Sequence, residues 1–600
     1  MSSYFDEASL VFIPSGYKTS KAYSVKPTDG TGDLTFTRSN DTATRVGADG
    51  LIEKVRTNLA QYSEQFDNAW WGKSNITITA NNTTDPFGGS AADKALCAAG
   101  TVSPNIFSAG VACTSGVEYT ASYYAKQGTS KYAKIRFSST AFATASNTPI
   151  FDLNAGTIVS GTGVITSVGN GWYRISATQT AEATTTGIFT VDIPDSTGVW
   201  PNGTFAGTEF IFIFGYQFEI SVGVSPYIPT TTAAVSVGML ANVPRLDYLN
   251  SSCPRLLLEP QRTNLALFSE QINNTAVYAI QQSAVTANAI TSPDGTTNAD
   301  LWYPTSNSNT GSCRLLQTIT GPSSGVSYTA SIFVKRNNKR WLYFSAPDAS
   351  SANHNAFFDI ENGVVGNVGS SVTGATIENY GNGWYRCSVT STATSTTQYI
   401  FVSAANGNGD QSVTANGTDG FYFYGSQLEA SASYPSSYIS TLGAAVTRSA
   451  DICVKSGISS LLPTQTATLY IEFDFSKTAV NSQVMSIHNN STGLAWILKN
   501  SSTGINATYF NSGFIGSIST SVSASAQVIK VAYAYTNGSQ ALYINGVQQG
   551  VASDAITDSN DFDTLELNGF WNITKDGTSV ASAIVFPTRL SNAQLAELTA

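Results

Sequence analysis

The chain has 600 residues, of which 42% are hydrophobic and only 12% are charged, and its formal net charge is −10. This length and apolar content allow about four domains of roughly 150 residues, each with a buried core. A negative net charge without a Lys/Arg cluster argues against nucleic-acid binding and against attraction to anionic membranes.

The first segment, residues 1–55, has little alternating hydrophobicity and many polar and glycine positions. Such a segment cannot build a core alone. We therefore expect an extended N-terminal arm that becomes ordered against a partner or against residues 240–262. It has neither a basic start nor the apolar stretch of a signal peptide, and the chain contains no run of about 18 apolar residues. We expect neither membrane insertion nor secretion by that route.

The next four hundred residues contain a duplication. The sequence RTNLAQYSEQ at 56–65 recurs as RTNLALFSEQ at 262–271, and GNGWYR at 169–174 recurs at 381–386. The offsets, 206 and 212 residues, nearly agree, and such a period has the size of a whole domain. The sequence therefore predicts two copies of a unit that folds by itself.

Within each copy, apolar residues alternate with polar ones, which is typical of half-buried antiparallel strands. Glycine, Asn, Ser and Thr fill the loops, so each copy is predicted to be a β-sandwich. The strands expected to line the cores carry the inward-facing residues Val117, Tyr119, Ala121, Tyr123 and Ala125 in the first copy, and Val326, Tyr328, Ala330, Ile332 and Val334 in the second. The continuous apolar runs 210–214 and 421–424 suit central strands.

A third alternating pattern begins near Leu469. The Asn545-Gly546 step between apolar segments predicts a type I′ hairpin, because both residues tolerate positive φ. Leu595 and Leu598 share one face of a short terminal helix, for which Ser591 is the candidate N-cap. These features predict a third sandwich closed by one helix.

Several segments resemble those of tailed-phage virion proteins built from carbohydrate-binding-like jelly-roll modules. They are 37–53, 62–70, 242–265, 425–439 and both GNGWYR copies. Residues 533–546 and 586–595 resemble the laminin-G or concanavalin A-like lectin domains that end many such proteins. The resemblance implies an all-β fold: two jelly-roll β-sandwiches followed by a concanavalin A-like β-sandwich, with an extended N-terminal arm. The implied division is an arm and virion anchor (1–55), jelly-roll module 1 (56–238), a linker (239–261), jelly-roll module 2 (262–455) and a lectin-like domain (456–600).

In the family pattern, the segment ending near Val55 runs almost directly into the one that begins at Asn242. Module 1 separates them here, so it is predicted to be an insertion. Residues of about 30–55 and 240–262 are then expected to pack together.

The candidate glycan-binding residues are aromatic and cationic. Trp172 with Arg174, and Trp384 with Arg386, form a repeated pair on the face opposite the apolar one. An aromatic ring offers stacking to a pyranose and a guanidinium donates to its hydroxyls. The alternative, which we favour, is a Trp–Arg stack that covers the sheet. The remaining candidates are Trp341, Trp496 and Trp571.

Signals for catalysis and for metals are weak. His354 and His488 are the only histidines, which nearly excludes a His-dependent triad or a multi-His metal site. Glu472, Asp474 and Glu566 could serve a glycosidase, although a lone carboxylate on a strand is usually only solvated. The loop 558–561 is compatible with calcium but matches no defined calcium loop. The six cysteines form no CxxC pair and are expected to be buried thiols without disulfides. No catalytic residue, metal ligand or cofactor is predicted.

The resemblance implies a non-enzymatic component of a phage virion appendage, such as a tail, baseplate or head fibre, that binds host-surface glycans. The implied partners are other virion proteins through the N-terminal region, with the C-terminal domain distal, and a homo-oligomer, preferably a trimer, would add avidity. Two alternatives stay open: a polysaccharide depolymerase of the tail, and a purely structural decoration protein. The expected location is the virion, assembled in the bacterial cytoplasm.

Overall fold

A computed structural model describes residues 2–142, 148–308, 313–321, 323–345, 353–463, 465–475, 482–489, 493–499, 504–511, 514–521, 528–556, 562–569 and 577–600. The described chain is almost entirely β, which confirms the predicted fold class. Three sandwiches account for it. Among the described residues, no helix has the length and apolar character needed to cross a membrane.

Module 1 consists of two antiparallel sheets that face each other across one core. Its sheet A contains, in hydrogen-bonded order, Val164–Gly169, Trp172–Thr180, Glu118–Gln127, Phe210–Ile220, Ala92–Cys97 and Ile76–Thr83. Its sheet B contains Thr157–Ser160, Ile150–Asp152, Tyr132–Ser138, Thr185–Asp192, Asn105–Ser108 and Trp71–Ser74, with Val111–Cys113 pairing beside Thr185–Asp192. Gly100–Val102 pairs with Gly203–Phe205, and a short 3₁₀ helix spans Thr140–Phe142.

Module 2 repeats this order strand for strand. Its sheet A contains Val372–Asn379, Trp384–Thr392, Ser327–Asn337, Gly420–Ala430, Thr297–Pro304 and Ser283–Thr291. Its sheet B contains Val364–Val368, Asn355–Asp359, Trp341–Ser345, Thr397–Ala405, Arg314–Thr320 and Tyr278–Gln281. The inward-facing residues predicted from the alternation, including Tyr119 and Tyr328, lie in the two cores. The sequence duplication is thus a duplication of topology.

Each module enters and leaves its sandwich through a short antiparallel pair. Arg56–Asn58 pairs with Val235–Val237 at module 1, and Arg262–Asn264 pairs with Val446–Arg448 at module 2. The two ends of each module therefore lie side by side, which lets a whole domain be inserted into another without separating the strands of the host.

The third sandwich is the host, and it is built from three separate parts of the chain. One sheet contains Leu246–Asp247, Arg255–Leu258, Thr578–Phe586, Ala467–Asp474, Val528–Thr536, Ser539–Ile544 and Val547–Ala552, with Leu10–Phe12 also paired to Thr578–Phe586. The other contains Tyr17–Lys18, Lys21–Ala22, Leu34–Thr37, Ile452–Lys455, Thr564–Leu567, Ser482–His488, Gly493–Lys499, Gly504–Asn511 and Phe514–Ser521. A 3₁₀ helix spans Ser459–Leu461, and Arg45–Val46 pairs with Ile52–Glu53.

This arrangement replaces the expected N-terminal arm and linker. Leu10, Phe12, Leu34 and Phe36 are fully buried in the core of the third sandwich, as are Leu256 and Leu258. Residues 10–37 have too few apolar positions to form a core alone, but enough to add strands to both sheets of another domain. The predicted contact between the two separated segments is present: Val46 donates its N–H to Asp247 at 2.7 Å, and Arg38 donates its N–H to the Asn242 side chain at 3.0 Å.

The chain ends also meet. The N-terminal helix Ser2–Glu7 packs with the C-terminal helix Asn592–Thr599, and the Tyr4 hydroxyl donates to Glu597 at 2.6 Å. Ser591 caps the C-terminal helix through a capping box, as predicted. The expected polarity, with an N-terminal anchor and a distal C-terminal domain, does not hold because both ends belong to one domain. Asn545 and Gly546 adopt the positive φ values expected of the hairpin, and all six cysteines are free, with only Cys253 exposed.

A fully buried ionic cluster joins the three parts of the host. It consists of Arg38 from the first part, Arg245 and Glu259 from the second, and Arg448 and Asp451 from the third. Asp451 pairs with Arg38 at 3.2 Å and with Arg245, while Glu259 pairs with Arg245 at 2.6 Å and with Arg448 at 2.9 Å. Burial works against ionisation of Glu259, but the two guanidiniums outweigh it and hold its pKa well below the usual range.

We predict that Glu259→Gln destabilises the third sandwich by about 3–5 kcal/mol, because it leaves three buried guanidiniums with a single carboxylate, that of Asp451. Chemical denaturation followed by tryptophan fluorescence measures the change. Glu361→Gln is the control, since Glu361 forms a 3.0 Å pair with Arg336 at an exposed site and its loss should cost less than about 1 kcal/mol. Equal effects for the two variants would contradict the role of the cluster.

Each jelly roll also buries one carboxylate at the same place. Asp93 accepts the backbone N–H groups of Phe66 and Asn81 at 3.0 and 2.9 Å, and Asp300 accepts those of Asn273 and Asn288 at 3.1 and 2.8 Å. Burial raises the pKa of Asp93 to about 6 and that of Asp300 to about 7. Both carboxyls are therefore more easily protonated in the folded protein than in the unfolded chain.

A raised pKa in the folded state stabilises the fold below the unfolded pKa of about 3.9, and this contribution disappears as the pH rises through the folded value. We predict that the melting temperature of the wild type falls relative to that of Asp300→Asn between about pH 4 and pH 7. For Asp93→Asn, the fall in the melting temperature of the wild type relative to the variant should be complete near pH 6. Melting curves over this range test it, and a constant difference between wild type and either variant would contradict the shift at that residue.

Candidate functional site

The two predicted Trp–Arg pairs lie on the outer face of sheet A, but they do not form open platforms. Trp172 and Trp384 are 1% and 2% exposed, and their indole N–H groups donate to the carbonyls of Thr84 and Thr291 at 3.2 and 3.3 Å. No ring face is therefore available to a sugar. The geometry favours the alternative interpretation, in which each tryptophan covers the sheet.

The paired arginines are held in the same way in both modules. Arg174 donates to the carbonyl of Ser225 and Arg386 to that of Ser436, both at 2.6 Å. Each guanidinium also lies over an aromatic ring: Tyr124 at 5.4 Å in module 1 and Phe333 at 5.2 Å in module 2. These contacts fix both guanidiniums against the sheet, so they are not turned toward a glycan.

The surroundings of sheet A differ between the modules. In module 2, Val46 and Ile52 from the host cover the face that holds Trp384. In module 1, the equivalent face carries Phe87, which is 66% exposed and stacks on Tyr227 with ring centroids 6.1 Å apart. Sequence reasoning does not select Phe87, because a lone Phe in a loop does not reveal that aromatic neighbours lie beneath it.

Of the three predicted tryptophans whose side chains are described, Trp341 is the one left partly exposed, whereas Trp172 and Trp384 are buried. It lies at the start of the strand Trp341–Ser345, on the outer face of sheet B of module 2. The Arg340 guanidinium lies 5.5 Å from its ring centroid and forms a 2.6 Å ion pair with Asp359. Tyr343, Phe357 and Phe401 continue the same face and contact one another edge-on, with centroids 5.2 and 5.4 Å apart.

Asp359 stays ionised in this position. Its burial opposes ionisation, but hydrogen bonds from Arg340 and Asn362 outweigh that effect and lower its pKa to about 2. The side chains beside the tryptophan are exposed amides: Asn408 accepts the N–H of Asn367 at 2.6 Å. The site thus offers an aromatic ring, a fixed cation and several neutral donors and acceptors.

Module 1 repeats the arrangement with different residues. Tyr132 pairs across the strands with Asp152, as Trp341 does with Asp359, which makes Tyr132 the structural equivalent of Trp341. Lys131 lies 4.6 Å from the Tyr132 ring centroid and 3.4 Å from Asp152.

Beyond Tyr132 the two outer faces differ. In module 1, Trp200 covers Arg136 and Lys134, whose cationic groups lie 4.6 and 5.4 Å from its ring, and Arg136 pairs with the fully buried Asp192 at 2.9 Å. At the position equivalent to Lys134, module 2 has Tyr343. On the outer face of sheet B, the side chains beyond Tyr132 in module 1 are therefore more cationic, and those beyond Trp341 in module 2 are more aromatic.

The candidates in the third sandwich cannot be joined into a site. Trp496 belongs to the strand Gly493–Lys499, but its side chain is outside the described part of the chain, as are Trp571 and the loop 558–561. Within the described residues, no group of three or more His, Cys, Asp or Glu side chains is placed to hold a metal ion. The compatibility of the loop 558–561 with calcium is therefore not tested by the described residues.

The carboxylates considered for catalysis each face a basic side chain. Asp474 pairs with Arg255 at 3.5 Å, Glu566 lies 3.7 Å from the His488 ring, and Glu472 lies opposite Lys530 across two strands. His354 is buried, with its Nδ1 atom 2.8 Å from the Ser391 hydroxyl.

No protein-family model matches the sequence, and no match was found among curated proteins. Solved structures do match parts of it. The CBM40 of the Ruminococcus gnavus IT-sialidase, bound to α2,3-sialyllactose, is 18% identical, covers 24% of this chain and 91% of its own, and has a TM-score of 0.21. The tandem CBM22 domains of Paenibacillus barcinonensis Xyn10C are 12% identical over 62% of this chain and 97% of their own, with a TM-score of 0.20. NanB sialidase from Streptococcus pneumoniae is 16% identical over 24% of this chain and 26% of its own, with a TM-score of 0.21.

We predict that Trp384→Ala costs about 3–5 kcal/mol of stability, because it removes a large buried ring from a packed site. Glycan retention should then fall only in proportion to the unfolded fraction. Trp172→Ala, at the equivalent position of module 1, should behave in the same way. An unchanged melting temperature together with complete loss of glycan retention would instead restore Trp384 as a platform.

Proposed function

We propose that this protein is a non-enzymatic component of a phage virion appendage, such as a tail, baseplate or head fibre, that binds host-surface glycans through its jelly-roll modules. The binding surfaces are the outer faces of sheet B, centred on Trp341 in module 2 and on Tyr132 in module 1. The protein would function on the assembled virion.

The observation that carries the glycan-binding proposal is the repeated constellation of aromatic ring, cation and carboxylate. Both Trp341 and Tyr132 are partly exposed, and each has a cation near its ring, held by an aspartate on the neighbouring strand. In contrast to the buried tryptophans of sheet A, these rings can stack on a pyranose, and the neighbouring donors can bind its hydroxyls.

Weak sites become useful when several act together. The chain carries two such faces, and a homo-oligomer, which we propose to be a trimer, would present six. Linked sites raise the effective concentration for the second contact and increase avidity without any new interaction.

The placement on a virion is supported by the sequence segments that resemble tailed-phage proteins, including 37–53 and 242–265. Because both of these segments contribute residues to the host sandwich, we propose that this sandwich, with its lectin-like sequence at 533–546 and 586–595, contacts other virion proteins. The two inserted modules would then be the parts that reach the host surface.

A glycan array probed with the intact protein tests binding, and an assay for new reducing ends on the bound polysaccharide tests cleavage. Binding without cleavage is the expected result. Cleavage would favour a depolymerase, and absence of both would favour a purely structural decoration protein. Density for the protein in a virion reconstruction would test its location.

We predict that Trp341→Ala weakens binding of an array-positive glycan by about two- to tenfold, because ring stacking contributes about 0.5–1.5 kcal/mol. Tyr132→Ala should reduce binding to a similar or smaller extent, and the double variant should lose more than either. Isothermal titration calorimetry measures the affinities.

The matched control is Val368→Ala, which changes a 45% exposed apolar residue on the edge strand of the same sheet, separated from the strand of Trp341 by Asn355–Asp359. Its affinity should stay within twofold of the wild type. If Trp341→Ala and Val368→Ala bind equally well while both stay folded, sheet B of module 2 is not the binding face.

A further inference from the structure

A cavity lies between module 2 and the host sandwich, away from the outer face of sheet B. Its volume is about 470 Å³, within the roughly 300–1,000 Å³ that is usual for small-molecule sites, which often form at domain interfaces. Module 2 contributes residues 376–380 and 434–438, and the host contributes residues 44–46, 247–259, Asp474 and 577–579. None of these has a role in the binding faces described above.

Two tyrosines from module 2 line the cavity. Tyr380 stands perpendicular to the Phe333 ring, with centroids 4.8 Å apart, so its orientation is fixed from below. The Tyr434 hydroxyl accepts the N–H of Gly577 at 2.9 Å and thereby links module 2 to the opposite wall. Tyrosine rings supply apolar surface for stacking, as in other ligand sites.

The charged groups of the lining nearly balance. Three are arginines (Arg45, Arg255 and Arg386) and four are carboxylates (Asp247, Glu259, Glu378 and Asp474). A phosphate or polyanion would face four negative charges, and a metal ion would face three guanidiniums. A neutral molecule whose groups both donate and accept hydrogen bonds fits such a wall better, and sugar hydroxyls do both.

Arg255 is the charged group best placed to bind. Its side chain is 22% exposed, and its contact in the described structure is a 3.5 Å ion pair with Asp474, longer than a strong charge-assisted hydrogen bond. A guanidinium has five N–H donors. A guanidinium on the cavity wall can therefore donate to more than one acceptor of a ligand.

Part of the cavity lining is held by the buried ionic cluster. Glu259, a residue of the cluster, and Ser437 both line the cavity, and the Ser437 hydroxyl donates to Glu259 at 2.6 Å. Walls that do not need to be ordered on binding lose less entropy when a ligand enters.

We propose that this cavity binds one or two residues of a neutral saccharide, with Arg255 donating to its hydroxyls and Tyr380 packing against its ring. The choice of a saccharide rests on the proposed glycan-binding function. The cavity would hold a chain end or side branch, whereas the outer sheet faces would hold an extended chain.

The test uses the full-length protein and methyl glycosides of glucose, galactose and N-acetylglucosamine, followed by saturation-transfer NMR and calorimetry. Methyl glucuronide is the charged comparison. At least one neutral glycoside should bind saturably and better than the glucuronide, and Arg255→Met should weaken it by at least tenfold. Glu378→Gln, a same-size change on the opposite wall, serves as the second variant if Arg255→Met does not fold.

Trp341→Ala separates this inference from the proposed function. It should leave glycoside binding unchanged while it weakens binding of the longer array glycan. Loss of the glycoside in Trp341→Ala, binding in Arg255→Met within twofold of the wild type, or no saturable binding of any neutral glycoside would each overturn the cavity proposal. A negative glycan array together with glycoside binding that depends on Arg255 would overturn the outer-face proposal alone.

Discussion

The buried ionic cluster of Arg38, Arg245, Arg448, Glu259 and Asp451 is the constraint on which the rest of the structure depends. Two carboxylates form ion pairs with three guanidiniums. The five residues come from three parts of the chain, and two whole domains separate these parts in the sequence. Buried charges are costly unless each is paired, so the cluster is satisfied only when all three parts are in place. It therefore favours one assembly of the host sandwich over partial ones.

This assembly decides which surfaces are free. The host segment around Val46 and Ile52 covers sheet A of module 2, and the same contact closes one side of the interdomain cavity. The outer face of sheet B keeps Trp341 and Tyr132 partly exposed, although Tyr343 and Phe357 beside Trp341 are buried. The two copies of one topology thus have different environments. Trp341 and Tyr132 occupy equivalent positions and stay partly exposed in both copies, and packing in the core does not explain why an aromatic residue occurs at this position.

Local patterns predicted much of this fold. The alternation around Tyr119 and Tyr328, the Asn545-Gly546 hairpin and the Ser591 cap each depend on neighbouring residues, and the structure has them as expected. The fate of residues 10–37 depended on partners more than four hundred residues away, which no local pattern can show. A signal for the cluster was nevertheless present, since Thr-Arg-Ser occurs both at 37–39 and at 447–449. The candidate glycan-binding residues were predicted less well than the fold. The burial of Trp384 and the partial exposure of Trp341 depend on which other segments pack against the outer face of each sheet.

Native-state hydrogen exchange tests the central claim, that three separate segments form one domain which carries two inserted modules. The account predicts that amides in Leu10–Phe12, Arg255–Leu258 and Ala467–Asp474 exchange through one shared opening with equal free energy, while the strands of residues 56–238 open independently. Rapid exchange of Leu10–Phe12 and Leu34–Thr37, with Ala467–Asp474 still protected, would contradict it, because the N-terminal region would then be a separate arm.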